Sequence, residues 1–292
     1  MSIVNKISIV IVNYNSTKKL NTLLVSLLYI QKIISDIVII DNNSQDIELI
    51  EKPKLLRQKI TLHRKNYNLG FSKAVNIGIK ITKTENILLL NPDTKLIDNS
   101  VLRLVAFYLS NKKIGIIGGR LISEETGNFL NTANKFKPSF LSILAVMTNL
   151  QKIFPNSTYV RNFFYDKDTD IKKPVEVDSL CGAFMLFRKH SGKQINYFDE
   201  VFFLYLEDID FCLQRKAKNF KVFLYPQAQI MHYGGFSSNS KYRISLRHWY
   251  NSRKVFSRKY LNHYENAFIN FLFFIEKSFL SLYHNLKNEP QE

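Results

Sequence analysis

Three short apolar runs, at residues 7–12, 37–40 and 86–90, each stop in a polar cluster: Asn13-Tyr14-Asn15-Ser16-Thr17, Asp41-Asn42-Asn43-Ser44 and Asn91-Pro92-Asp93-Thr94. An apolar run without alternation has to be covered on both faces, which places it at the centre of a parallel sheet. Between the runs the apolar residues change to helical spacing, with Leu20, Leu23, Leu24, Leu27 and Leu28 on one face and Val101, Leu104, Val105 and Tyr108 on another. Residues 60–62 read as a third strand, and residues 114–119 resume the sheet. Strands alternating with helices in this way specify an α/β fold, a doubly wound, mostly parallel sheet with helices on both faces. Its polar rim lies at the strands' carboxyl ends, where ligands bind in open α/β sheets.

Ser16 or Thr17 is expected to cap the first helix. Gly70 opens another, whose first N–H groups could face a phosphate with Lys73 nearby. From about 123 to 175 the rhythm gives way to scattered aromatics, Lys and Asn, read as loops and short helices. Strand character returns over 177–187, where Gly182 and Ala183 allow close approach of a ligand or backbone. Residues 222–226, ending in Pro226, read as an edge strand. The resulting partition is a domain over 1–240, made of a nucleotide-binding half (1–120) and an acceptor-binding half (121–240), followed by a helical basic and aromatic extension over 241–292.

With 41 Lys and Arg against 24 Asp and Glu, the net charge of +17 calls for an anionic partner. No nucleic-acid recognition motif accompanies it, so specific nucleic-acid binding is not expected. In the extension, Arg247, Arg253, Lys254, Arg258 and Lys259 alternate with Trp249, Tyr250, Phe256 and Tyr260, a composition suited to an anionic membrane surface. Cys181 and Cys212 lack metal-site or disulfide spacing and read as buried free thiols of a reducing compartment. No run is long enough to span a bilayer, and 7–12 is too short for a signal-peptide core. The expectation is a cytoplasmic protein, peripheral at the inner face of the cell membrane, with a homo-oligomer left open.

The segment from Phe198 to Arg215 packs Asp199, Glu200, Glu207, Asp208 and Asp210 among aromatics. Carboxylates drawn together in apolar surroundings disfavour one another's ionised forms, which suits a general base. A solvated helix N-terminus favoured by the macrodipole is the alternative. Asp41 and Asp93 read equally as strand-end turn residues, and His232 as a core histidine.

Taken in order, residues 8–15, 38–44, Asn68-Leu69-Gly70-Phe71 with Ala74, Asn76 and Gly78, 89–94, 182–186, 198–210 and His232 with Gly234 resemble the family 2 inverting glycosyltransferases of GT-A, Rossmann-like fold. Within them the likeness is to rhamnosyltransferase-like members that build bacterial surface polysaccharides. The resemblance implies a nucleotide-diphosphate sugar donor, dTDP- or UDP-linked, bound by Asn13, Asn15, Asp41, Asn43, Gly70, Lys73, Asn76 and Asn91, and a polysaccharide or lipid-linked acceptor. It implies Asp208 as catalytic base with Glu207 beside it, and Gly182, Ala183, Glu207 and Asp210 near the acceptor. Asp93 and His232 would hold Mg2+ or Mn2+, although Asn91 stands where a first Asp would make a two-carboxylate motif. Arg253 and Lys254 are secondary phosphate candidates. That departure leaves open a non-catalytic nucleotide-sugar or membrane-surface binding protein as the alternative.

Overall fold

A computed structural model of the chain describes residues 6–167, 170–191, 194–195, 197–233 and 239–287, and Gly234 lies outside them. Two compact units form, 1–134 with 165–235 and 135–164 with 236–292. Part of the irregular stretch, 135–164, thus clusters with the C-terminal helices, a different division from that at residue 240.

The first unit runs β1 (Ile7–Asn13), α1 (Thr17–Ser26), β2 (Ile34–Asp41), β3 (Ile60–Arg64), α2 (Phe71–Ile81), β4 (Asn86–Leu90), β5 (Thr94–Leu96), α3 (Ser100–Ser110), β6 (Ile114–Ser123) and β7 (Ala133–Asn134). It continues with β8 (Val175–Val177), β9 (Ser179–Leu180), β10 (Phe184–Arg188), a small hairpin of β11 (His190–Ser191) and β12 (Gln194–Ile195), α7 (Glu207–Ala217) and β13 (Lys221–His232). The second unit contributes α4 (Phe140–Met147), α5 (Leu150–Ile153), α6 (Thr158–Phe163), α8 (Asn239–Tyr260) and α9 (His263–Lys287).

The main sheet has the order β3-β2-β1-β4-β10-β6-β13-β5, with β8 also beside β13. β1, β2, β3 and β4 pair in parallel, and beyond them β10 inserts antiparallel between β4 and β6. Every residue of β1 is buried. Its side chains alternate: Ile7, Ile9 and Ile11 join a core with Leu20 and Leu24 of α1 and Leu104 and Tyr108 of α3, while Val10 and Val12 join a second core with Val75 and Ile79 of α2, Phe198 and Phe211. Each such side chain contributes about 1.5–3 kcal/mol. Two-sided burial therefore explains why β1 shows no alternation in sequence.

Three local readings need correction. Neither Ser16 nor Thr17 caps α1 with its own side chain; Asp46 reaches across, its Oδ2 accepting from Thr17 N at 3.1 Å and its Oδ1 from Thr17 Oγ1 at 2.8 Å. The strand over 177–187 is interrupted at Asp178 and again over 181–183, leaving β8, β9 and β10. Residues 222–226 lie in β13, an interior strand parallel to β6 on one side and antiparallel to β8 and β5 on the other. Pro226 is tolerated there because the β6 register slips between Leu224 and Gln229, so no ladder bond needs its missing N–H.

In the second unit α4 starts at a capping box in which Ser139 accepts from Ser142 N. Phe256 of α8 and Ile269 and Phe273 of α9 are fully buried. Arg253 is buried with them, which removes it from the phosphate candidates: it donates to the Met147 carbonyl and to Glu276 Oε2. Its guanidinium also lies 4.2 Å from the ring centroids of Tyr250 and Phe273. Lys254 next to it is exposed. Among the described residues no helix is long and apolar enough to cross a membrane.

Candidate functional site

The carboxyl ends of β1, β2 and β4 lie side by side, since Asn13 pairs with Asp41 and Ile11 with Leu90. Asn13 is buried, and its Nδ2 is shared among Asp41 Oδ1 and Ser44 Oγ, both at 3.0 Å, and Thr17 Oγ1 at 3.2 Å. Asp41 is also fully buried, and its Oδ2 accepts from Ser44 N at 3.0 Å. These two predicted donor residues thus hold the loop between them. Asn15, in the turn between β1 and α1, and Asn43, in the loop after β2, are exposed in left-handed conformations, at φ 49° and 67°. Asn42 Nδ2 donates to the Gly70 carbonyl at 3.1 Å and ties this loop to the start of α2.

Gly70 has φ 83° and ψ 171°, a region essentially restricted to glycine, and a Cβ there would lie 2.7 Å from the Phe203 carbonyl oxygen. Phe71 N donates to that same oxygen at 2.7 Å. Gly70→Ala is accordingly expected to cost about 1–3 kcal/mol in urea unfolding. Lys73 is exposed on α2. Asn76, in contrast, is engaged within the protein: Phe198 N donates to its Oδ1, and its Nδ2 donates to the Phe198 carbonyl and Glu200 Oε1, each at 2.9 Å. With both ends of its amide engaged, it fixes the approach to the acidic segment instead of contacting a nucleotide.

That segment enters α7 through Tyr205 and Leu206, both left-handed at φ 76° and 67°. Two consecutive bulky residues in that region store strain immediately before Glu207 and Asp208. Asp208 Oδ2 accepts from Gly182 N at 2.9 Å, and its Oδ1 accepts from Ile209 N at 2.8 Å. A Cβ on Gly182 would lie 3.3 Å from the Asp208 Cβ, so the bare backbone permits this approach. Ala183 accepts from Asn91 N at 3.1 Å, which joins the Asn91-Pro92-Asp93 turn to the loop that holds Asp208. Cys181, at the start of that loop, has its thiol pushed up to about 12 by burial and then by the negative charge of Asp208, Glu207 and Asp93. One small loop thus feels all three carboxylates.

Burial raises the Asp208 carboxyl above the ordinary range, partly offset by its backbone donors. Burial and the Asp208 charge raise Glu207 well above its usual value. Glu207 Oε2 and Asn91 Oδ1 are buried with no hydrogen-bond partner in the protein. Asp210 is fully buried and accepts from Gln214 Nε2 at 2.6 Å along the helix, so an acceptor molecule has no access to it and its place among the acceptor candidates is withdrawn.

Asp93 Oδ1 lies 3.3 Å from His232 Nε2, and Tyr233 N donates to the Asp93 carbonyl at 2.8 Å. Burial would raise the Asp93 carboxyl, but the hydrogen bond and charge of His232, with Lys19, bring it below its usual value. A hard oxygen beside an imidazole nitrogen suits Mg2+ or Mn2+, and no group of three such ligands occurs among the described residues. Asp93 and His232 are the two candidate protein donors that the structure brings together here. Sequence reading gave no site role to Lys19, Ser44 or Asp46, and read Cys181 only as a buried thiol. Ser44 and Asp46 stand in a strand-end polar cluster and were open to discovery; Lys19 and Cys181 carry no sequence signal of their own.

Residues 8–195 match the model of the family described as glycosyl transferase family 2. The chain is 24% identical over 230 residues to the low-salt glycan biosynthesis hexosyltransferase Agl10 of Haloferax volcanii, covering 76% of this chain and 65% of that protein. It is 25% identical over 235 residues to the rhamnosyltransferase WbbL of Escherichia coli, covering 75% of this chain and 84% of that one. Among solved structures, GalNAc-T7 with UDP, GalNAc and Mn2+ superposes with a TM-score of 0.60 at 16% identity, over 81% of this chain and 45% of that chain. TarS of S. aureus superposes at 0.51 and 16% identity, over 84% and 39%. At these identities the structural likeness concerns the fold, which is GT-A.

Proposed function

Because the chain belongs to glycosyl transferase family 2, we propose that it is an inverting glycosyltransferase of surface polysaccharide synthesis. It transfers one sugar, rhamnose from dTDP-rhamnose, to a lipid-linked or polysaccharide acceptor. The observation that carries this reading is the Asp208 carboxylate, held by Gly182 N–H on a loop that also binds the Asn91–Asp93 turn. A base raised by burial accepts the proton of an acceptor hydroxyl while that oxygen attacks the anomeric carbon and the nucleoside diphosphate leaves on the opposite face. One displacement of this kind inverts the anomeric configuration. Asp93 and His232 are the residues that would hold a divalent ion, which supplies charge neutralisation for the departing diphosphate.

The rhamnosyl assignment draws on the name of the Escherichia coli relative. A thermal-shift panel of nucleotide sugars, with and without Mn2+, is expected to single out dTDP-rhamnose. Stabilisation by a different donor replaces the sugar; stabilisation by none rejects the donor reading.

For the acceptor, the second unit supports a membrane-surface location. Tyr264, Phe268, Phe271 and Phe274 form a stripe along α9 that is 85%, 52%, 58% and 63% exposed, opposite the buried Ile269 and Phe273. Exposed Lys254, Arg258, Lys259 and Lys277 on α8 and α9 supply positive charge. Aromatics beside lysine and arginine suit the headgroup region of an anionic bilayer. Replacing Phe268, Phe271 and Phe274 together by Ser is expected to lower co-sedimentation with phosphatidylglycerol vesicles by about tenfold or more, given the area withdrawn from lipid. Unchanged binding removes the stripe from the reading.

A further inference from the structure

Lys19 stands in the first turn of α1, and its Nζ donates to the Tyr233 carbonyl at 2.7 Å. The Tyr233 N–H in turn donates to the Asp93 carbonyl, and the preceding residue, His232, contacts the Asp93 carboxylate. This chain of contacts anchors an ammonium beside the Asn91–Asp93 turn, where an inverting transfer leaves its diphosphate. We propose that Lys19 is a diphosphate-binding residue of the donor site, a fixed cation at a turn that provides one carboxylate for a divalent ion instead of two. The inference rests on the donor reading above and deepens it.

Three observations favour the side chain over its surroundings. The N-terminus of α1 is not available to a phosphate through Thr17, whose N–H and hydroxyl are both taken by Asp46. An ammonium has three donors, and the Tyr233 carbonyl takes one, leaving two for phosphate oxygens. Position 91 is Asn, so the turn tied to Lys19 through Tyr233 carries one carboxylate, Asp93, and no second. A diphosphate brings more negative charge than Asp93 alone, so the cation has unmet electrostatic demand until a donor binds.

The test compares Lys19→Met and Lys19→Arg with the unaltered full chain by calorimetric titration of UDP, dTDP, UMP and dTMP, first in EDTA and then in Mn2+. Lys19→Met is expected to weaken diphosphate binding in EDTA by about tenfold, with monophosphate binding changed by less than about twofold, and Lys19→Arg to restore it. Equal weakening of mono- and diphosphate overturns the proposal, since it means that Lys19 merely holds Tyr233 in place. Unchanged diphosphate affinity in Lys19→Met overturns it as well. An unaltered chain that binds neither diphosphate in either condition instead defeats the donor reading, and the proposal with it.

Discussion

The Asp208→Asn variant is expected to lose about 10²–10⁴ in kcat, the usual worth of a positioned general base, while its affinity for the nucleoside diphosphate stays close to that of the unaltered chain. The amide has the size of the carboxylate and can still accept one N–H, from Gly182 or from Ile209. One of the two hydrogen bonds is lost, about 1 kcal/mol. The variant also removes a buried charge. Because burial raises the Asp208 pKa above its unfolded value, the folded chain holds this proton where the unfolded chain has released it. Its contribution to stability is therefore full below the unfolded pKa, falls as pH rises toward the folded pKa, and is least beyond it. At neutral pH the Asn variant escapes that penalty, so its Tm should match or exceed that of the unaltered chain. In the unaltered enzyme kcat/KM should rise with pH through the raised pKa of the Glu207–Asp208 pair, and the variant should lack this limb. Turnover kept within tenfold, or an acid limb unchanged in the variant, would assign the base elsewhere.

What the sequence made legible follows from where its interactions are local. β1, β2 and β4 were readable because two-sided burial writes itself as an unbroken apolar run, and the polar rim because each strand stops in Asn or Asp. Gly182 was readable as a point of close approach, but not that Asp208 would come to its N–H, because the two are 26 residues apart. Asn76 lies in a motif at the start of α2 that suggests phosphate contact, and only the fold brings Phe198 and Glu200 to its amide. Pro226 argues for an edge because it has no N–H, and the argument failed where a register slip removed the need for one. Asp210 has the spacing of a site carboxylate and the burial of a helix brace. For Gly182 and Asn76 the deciding partner is distant in sequence.

Arg253 and Lys254 are adjacent, equally basic and alike in a sequence reading, yet opposite outcomes are expected when each becomes Met. Arg253 is 1% exposed, bonded to the Met147 carbonyl and to Glu276, and stacked against Tyr250 and Phe273. Glu276, only 16% exposed in its side chain, also accepts from Asn149 Nδ2 at 3.0 Å. Arg253→Met strands that carboxylate in a poorly hydrated place, and breaking a buried pair from one side costs about 3–5 kcal/mol. Lys254→Met alters an exposed side chain and should stay within about 0.5 kcal/mol. The single tryptophan of the chain, Trp249, lies 5.5 Å from the Arg253 guanidinium, so its fluorescence during urea unfolding reads the second unit directly. Pairing Arg253→Met with Glu276→Leu should recover most of the loss, because a buried ion pair is often close to neutral against apolar residues of similar volume. Full stability in Arg253→Met alone would mean that water reaches Glu276 and that the guanidinium is held by its aromatic neighbours. A double variant as unstable as the single one would place the loss in those stacking contacts and the Met147 bond, with the ion pair contributing little.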